Sequence, residues 1–476
     1  MKNLRFIILA VTALITASCA DAPEPYGAIP SEHQLAWHKL ERYVFIHFTV
    51  NTFTGREWGF GSEPESTYNP TNLDPAQWVE VAKAGGFKGI VLTTKHHDGF
   101  CLWPSEFTEH SVKNSPCPRD VVKEVSDACR EQGLKFGVYL SPWDRNMADY
   151  GYDAYVDYYH NQLNELTTKY GEIFEVWFDG ANGGEGYYGG ANEARKIDSR
   201  TYYKWPETYG IVRKNQPQAC MFSDCGPDIR WVGNERGFAP ATNWCTLNDA
   251  EFVPGDSKLD LLGNGQPGGV DWTPAEVDVS IRPGWFYHEE QDDQVRSVEN
   301  LIDIYYSSVG SNANWILNIP PDKSGRIHPI DSARMVAFSA ALAKEFPRAL
   351  MADASKITST SCRGGKFAAS NILSSKDGYW AAKDEDKEAS LTITFKSPVT
   401  FDRILLQEHI ALGQRVNAFS VEALVNGEWK TLDEQTTIGY KRILRVAETT
   451  ADAVRVNIKA LACPTISNIE LYNSEN

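Results

Sequence analysis

The sequence predicts an α/β chain: a (β/α)8-type barrel followed by an antiparallel β-sandwich. Three observations carry that expectation. Between about Trp37 and Phe346, short β-rich runs alternate with helical patterns. Their repeat of roughly 40–50 residues has room for a strand, a long loop and a helix. The first four runs are apolar almost throughout rather than alternating, as strands covered on both faces are. After Arg348 the texture changes to apolar–polar alternation broken by turns such as Asn426-Gly427, the pattern of an antiparallel sandwich. A chain of 476 residues is long enough for two such domains. A doubly wound open sheet is the competing architecture. No Gly-x-Gly-x-x-Gly follows the first run and no Walker-type loop occurs, which argues against nucleotide binding.

Taken in order, the chain opens with Lys2 and Arg5 before an apolar run, Phe6 to Ala17, too short to span a bilayer. Leu14-Ile15-Thr16-Ala17-Ser18-Cys19 has the form of a bacterial lipobox. Residues 1–19 are expected to be a lipoprotein signal peptide and residues 20–29 a tether, with a lipid anchor on Cys19; a plain signal peptide is the alternative. The mature chain would be exported, on the periplasmic or cell-surface side, with no transmembrane span. The barrel is expected over 30–347. Tyr43 to Thr49 reads as its first strand. Asp74 to Ala84 reads as a helix capped by Asp74 with Pro75 at its first position. Gly89 to Thr94 is the second strand, and Arg119 to Gln132 an amphipathic helix ended by Gly133. Lys135 to Leu140 is the third strand, Tyr155 to Tyr170 a helix, and Ile173 to Phe178 the fourth strand. The spacing puts a fifth near Cys220 to Phe222, with later candidates at Val277 to Ile281 and Trp315 to Ile319. The sandwich is expected over 350–476, with strands at 391–395, 403–407, 418–424, 442–446 and 453–458.

Composition narrows the function. A net charge of −17 argues against nucleic acid, which needs clustered Lys and Arg. Fourteen Trp and 21 Tyr suit a site that stacks on the apolar faces of sugar rings, although large cores account for most of them. Eight Cys follow Cys19 with no CxxC pair and no zinc-like spacing; disulfides and buried free thiols both fit. No cofactor and no metal are expected.

In such a barrel, the C-terminal strand ends carry the chemistry. Those ends present His47, then His96-His97-Asp98, Tyr139, Trp143-Asp144, Trp177 and Asp179, and Trp285-Phe-Tyr-His288 after the run at 277–281. The segment Asp228 to Glu235 reads as a later loop. Glycoside hydrolysis uses two carboxyl groups, one ionised and one kept protonated. Asp179, rigidly placed after a buried strand and beside Gly180, is the candidate nucleophile. Glu235, with Trp231 and Gly233 nearby, is the candidate acid/base. A strand-end cap and a solvated loop carboxylate are the respective plain alternatives. The adjacent His96 and His97 point to different sides of an extended chain, so neutral donors to sugar hydroxyls suit them better than a shared metal. His47 fits a satisfied core histidine as well as a ligand. There is no Gly-x-Ser-x-Gly elbow and no protease-like Cys.

Together, Phe45-Ile-His-Phe48, Glu57-Trp58, Lys95-His-His-Asp-Gly-Phe100, Gly137-Val-Tyr-Leu-Ser141, Val176-Trp-Phe-Asp-Gly180 and Trp285-Phe-Tyr-His288 resemble, in order, glycoside hydrolase family 29, the retaining α-L-fucosidases. The resemblance covers about residues 30 to 345. It implies a covalent fucosyl intermediate on Asp179. It also implies fucose contacts from His47, Glu57, Trp58, His96, His97, Tyr139 and Trp177, with Trp285 in a further matching piece. The segment 226–235 is similar to the subfamily that prefers α-1,3 and α-1,4 fucose on Lewis-type glycans, which places the acid/base on Glu235; Asp224 and Glu289 are the alternatives. The expected partner is a fucosylated oligosaccharide. A broad-specificity fucosidase, a different retaining glycosidase and a non-catalytic glycan-binding lipoprotein are the other readings. The C-terminal sandwich resembles the discoidin-like, galactose-binding-type jelly rolls appended to glycosidases, where a structural brace is as fitting a role as sugar binding.

Overall fold

The computed structural model describes residues 21–255, 258–373 and 378–475. The signal segment and Cys19 lie outside the described residues. Eight parallel strands close a barrel in chain order. They are β1 Arg42–Ile46, β2 Gly89–Lys95, β3 Lys135–Leu140, β4 Glu175–Trp177, β5 Cys220–Ser223, β6 Ile229–Trp231, β7 Ala275–Ser280 and β8 Asn314–Asn318. β8 returns to pair with β1, Phe45 opposite Asn318. Closure excludes the open doubly wound sheet.

Side chains alternate across each strand. One set turns inward: Tyr43, Phe45, Val91, Tyr139, Trp177, Phe222, Ile229 and Ile316 form a single interior cluster. The other set packs outward against the helices. This two-sided burial explains the apolar runs. Trp37, on the helix Glu32–His38, plugs the N-terminal end of the barrel. Its indole donates to Tyr43 at 2.8 Å and to Glu175 Oε2 at 3.0 Å. Tyr43 in turn donates to Glu276 Oε2.

The helix ends follow local chemistry. Asp74 accepts the Gln77 N–H at 3.2 Å, with Pro75 in the first turn. Gly133 ends Val121–Gln132 at φ +77°, a left-handed cap that glycine adopts without strain. That helix starts two residues after the expected Arg119 because Asp120 is its cap, accepting from Lys123 at 2.9 Å.

The larger difference lies after β5. The segment expected to be a loop contains β6, joined to β5 by five residues with no helix between. A charged residue at its centre disguises the strand. Arg230 is buried and spends its guanidinium on Leu262 O at 2.6 Å, Asn243 Oδ1 at 2.9 Å and Thr273 O.

The C-terminal domain is an antiparallel sandwich built on two long strands, Glu388–Glu408 and Arg442–Ala460. Each spans two expected strands, with register shifts where the two halves meet. Glu388–Glu408 pairs early with Ala354–Ser359 and late with Thr465–Tyr472, so it serves both layers around a core of Trp380, Ile393, Leu406 and Val456. Contacts to the barrel include Arg403 Nε to Glu345 Oε2 at 2.7 Å, Lys441 to Glu41, and Gln414 to the Asn243 carbonyl at 3.0 Å. The eight described cysteines are free thiols, six of them buried. Among the described residues, no helix is long and apolar enough to cross a membrane.

Candidate active site

At the C-terminal end of the barrel a cavity of about 110 Å³ is lined by Phe45, His47, Trp58, His96, His97, Tyr139, Trp177, Asp179, Ala181, Glu235, Asp278 and Trp285. At roughly 10–15 Å³ per small occupant atom, this holds on the order of ten non-hydrogen atoms, one sugar ring.

Asp179 follows β4 and turns back toward the cavity. Its Oδ1 accepts the Ala181 N–H at 2.7 Å and its Oδ2 accepts the Tyr139 hydroxyl at 3.0 Å. Burial raises its pKa above the ordinary range, and these two donors oppose the rise by favouring the anion. A Cβ at Gly180 would overlap the Asp224 carboxylate, so any other residue there would have to displace that side chain. Trp177 commits its indole N–H to Glu276 Oε1 at 2.8 Å, inside the barrel, and stacks on Phe222 at 4.0 Å.

His47, at the end of β1, places Nδ1 2.8 Å from Asn318 Oδ1. His97 places Nδ1 2.7 Å from Ser141 Oγ, with Nε2 3.9 Å from Asp179 Oδ2. Burial depresses both imidazoles to about 3; the Arg145 and Lys95 charges add to this at His97. His96 sits between them, stacked with Tyr139, and is held well below its ordinary pKa by burial and its two neighbouring histidines. The Lys95 ammonium does not reach the cavity. It is buried between Asp144 at 3.0 Å and Gln162 at 2.9 Å.

Glu235 is exposed by area, yet protein crowds its carboxyl and raises its pKa. Trp285 Nε1, 3.3 Å from Glu235 Oε2, works against that rise, while the Asp179 and Glu57 charges add to it. Trp58 is 53% exposed at the mouth, edge-on to His97 and Trp143.

Nine of the ten expected residues line one cavity. Glu57 instead braces the segment after β7, accepting from the Trp285 N–H at 2.8 Å and contacting His288 Nε2 at 2.7 Å. The alternative acids are also elsewhere: Asp224 accepts the Gly255 N–H at 2.7 Å, and Glu289 opens the short helix Glu289–Gln294. Asp278 is the lining carboxyl that sequence reasoning passed over. Its carboxyl accepts Trp231 Nε1 at 2.8 Å, and burial with the nearby Glu235 charge pushes its pKa well up. The signal was present: in Val277-Asp-Val-Ser-Ile281 the polar residues occupy alternate positions of an apolar run, the inward positions of a barrel strand.

A carboxylate with two donors, a crowded carboxyl with a raised pKa and neutral imidazoles around a ring-sized space suit glycosidic bond cleavage. Among the described residues, no three His, Cys, Asp or Glu side chains are placed to share a metal ion.

Comparison with known proteins agrees with this chemistry. The family model for Alpha-L-fucosidase matches residues 25–345, and that for the F5/8 type C domain matches 356–471. Alpha-L-fucosidase 1 of Arabidopsis thaliana is 40% identical over 98% of this chain and 92% of its own length. A crystal structure of a glycoside hydrolase 29 family member from an unknown rumen bacterium superposes with a TM-score of 0.84 at 44% identity, covering 95% of this chain and 78% of that one. A Ruminococcus gnavus GH29 fucosidase in complex with fucose superposes at 0.86 with 31% identity, covering 96% and 97%. The chain belongs to the α-L-fucosidases of glycoside hydrolase family 29.

Proposed function

We propose that the protein is a retaining exo-α-L-fucosidase that removes α-1,3- and α-1,4-linked fucose from Lewis-type glycans. The observation that carries this reading is the pairing of Asp179 and Glu235 on one ring-sized cavity, each with its own donors. The R. gnavus relative, whose structure holds fucose, supports fucose as the occupant. In the first step Asp179 attacks the anomeric carbon while Glu235 gives its proton to the departing glycosidic oxygen. A fucosyl–Asp179 ester results. Water then attacks the same carbon as Glu235 takes its proton, and the second inversion restores the starting configuration. His47, Trp58, His96, His97, Tyr139, Trp177 and Trp285 hold the ring. Glu57 acts indirectly, by fixing the Trp285 backbone.

The linkage preference rests on the 226–235 segment that carries Glu235. Assays on Lewis-type trisaccharides, α-1,2-fucosyl glycans and an aryl fucoside test it. Release from the branched trisaccharides alone is expected. Comparable release from α-1,2 and aryl substrates would instead assign the broad-specificity activity. The N-terminal segment supports export with acylation at Cys19; lipid labelling that persists in Cys19→Ser would reject that anchor.

A further inference from the structure

We infer that His47 and His97 are locked as Nδ1–H tautomers by Asn318 and Ser141, so that the nitrogens they turn toward the cavity are hydrogen-bond acceptors and the site selects a ligand bearing hydroxyl donors at two ring positions. This deepens the fucosidase reading and rests on it for the identity of the ligand, but not for the tautomers. At His97 it reverses the sequence-based expectation of a donor.

The assignment follows by elimination. Ser141 has one hydroxyl proton. It goes to the Trp143 carbonyl at 2.7 Å, an atom that can only accept. Ser141 Oγ must therefore accept at its 2.7 Å contact with His97, and His97 Nδ1 carries the hydrogen. The second chain is longer. The Ser280 hydroxyl donates to the Gly284 carbonyl at 2.7 Å, so its oxygen receives Asn318 Nδ2 at 2.9 Å. Asn318 Nδ2 also donates to the Trp285 carbonyl at 2.7 Å. Two acceptors thus fix the amide orientation, and Asn318 Oδ1 faces His47 Nδ1 as an acceptor at 2.8 Å. His47 Nδ1 must donate.

Both imidazoles are buried and neutral, so each has a single hydrogen and leaves Nε2 bare. At His97 the bare Nε2 stands 3.9 Å from Asp179 Oδ2. Two acceptors at that separation gain nothing from each other, and a ligand hydroxyl can donate to either. Ser141 and Asn318 are positioning residues: they touch the histidines and orient their lone pairs.

Two experiments on the intact protein test the inference. In ring-¹⁵N-histidine-labelled protein, with signals assigned by their loss in His47→Gln and His97→Gln, both residues should show a pyrrole-like Nδ1 and a pyridine-like Nε2 near neutral pH. A pyrrole-like Nε2 on either would overturn the assignment for it. Second, calorimetry compares L-fucose with analogues in which each hydroxyl in turn is replaced by fluorine, which cannot donate, or by hydrogen. At two positions fluorine should weaken binding about tenfold, as much as hydrogen does. Binding that tolerates fluorine at every position would overturn the proposed selection. If fucose itself does not bind while the tautomers are as stated, the fucoside reading fails and the tautomer assignment stands.

Discussion

The Tyr139 hydroxyl donates to Asp179 Oδ2 at 3.0 Å across the top of the barrel, from β3 to the residue pair that follows β4. It is one of two donors that favour the charged form of the carboxyl, while burial raises its pKa. Tyr139→Phe removes that donor. A hydrogen bond to a charged group is worth about 1.5–3 kcal/mol, so kcat/KM should fall roughly 10–100-fold. Asp179 should also become harder to ionise, moving the acid limb of the pH–rate profile to higher pH. An acid limb that stays in place would contradict the coupling.

Glu235→Ala removes the proposed acid/base, whose action is worth about 10²–10⁴-fold. Fucosylated Asp179 should then accumulate, and azide should restore turnover by attacking it, giving α-fucosyl azide. Rescue of Asp224→Ala or Glu289→Ala, with none for Glu235→Ala, would move the role to that residue.

Asp278 lines the same cavity, and burial raises its pKa as it does that of Asp179, but at Asp179 two hydrogen-bond donors oppose the rise. At Asp278 the Glu235 charge adds to burial and pushes the pKa well up, which favours the neutral acid, and its oxygen accepts from Trp231. Asn at this position reproduces the neutral acid and keeps an acceptor. Asp278→Asn should retain activity near the parent's and gain stability at neutral pH, whereas Asp179→Asn should lose orders of magnitude. Equal losses in the two variants would show that Asp278 acts as a charge.

The carboxyl pair in the barrel interior gives a pH dependence of stability. Glu276 is raised well above 4.5 by burial and by Glu175. A raised folded pKa means that the group's stabilising share is present below the unfolded value and is lost as pH climbs toward the folded one. The buried histidines His38, His47 and His97 are depressed to about 3, so their share is lost as pH falls below 6.5. The histidine share and the Glu276 share therefore oppose each other below pH 6.5, and above it the histidine share no longer changes. Glu276→Gln still offers an oxygen to Trp177, and its gain in melting temperature should grow from pH 5 to pH 8. A gain that shrinks over that range would contradict the assignment.

How far the sequence revealed the molecule depended on what each strand faces. Runs such as Gly89-Ile-Val-Leu-Thr-Thr94, packed on both sides, are legible because both periods are apolar. β6 was not, since Arg230 supplies from its own side chain the polar contacts that a buried strand normally avoids. In the sandwich, Lys396-Ser-Pro398 hides the continuity of Glu388–Glu408. Glu428–Gln435 pairs on one side only, with Val416–Val425, and its sequence is polar almost throughout. At the site, the strand-end residues were visible because they interrupt apolar runs. Asp278 was hidden because it sits inside one, and the indirect place of Glu57 depends on a backbone contact made 228 residues away.

Asp179 is expected to form a covalent bond to the sugar. Incubation with 2-deoxy-2-fluoro-α-L-fucosyl fluoride, which forms the ester readily and releases it slowly, followed by peptide mapping, tests this directly. One added fluorofucosyl group is expected, on the peptide containing Val176-Trp-Phe-Asp-Gly180 and located at Asp179. Attachment to another residue, or turnover of the reagent with no adduct and with inverted product, would contradict it.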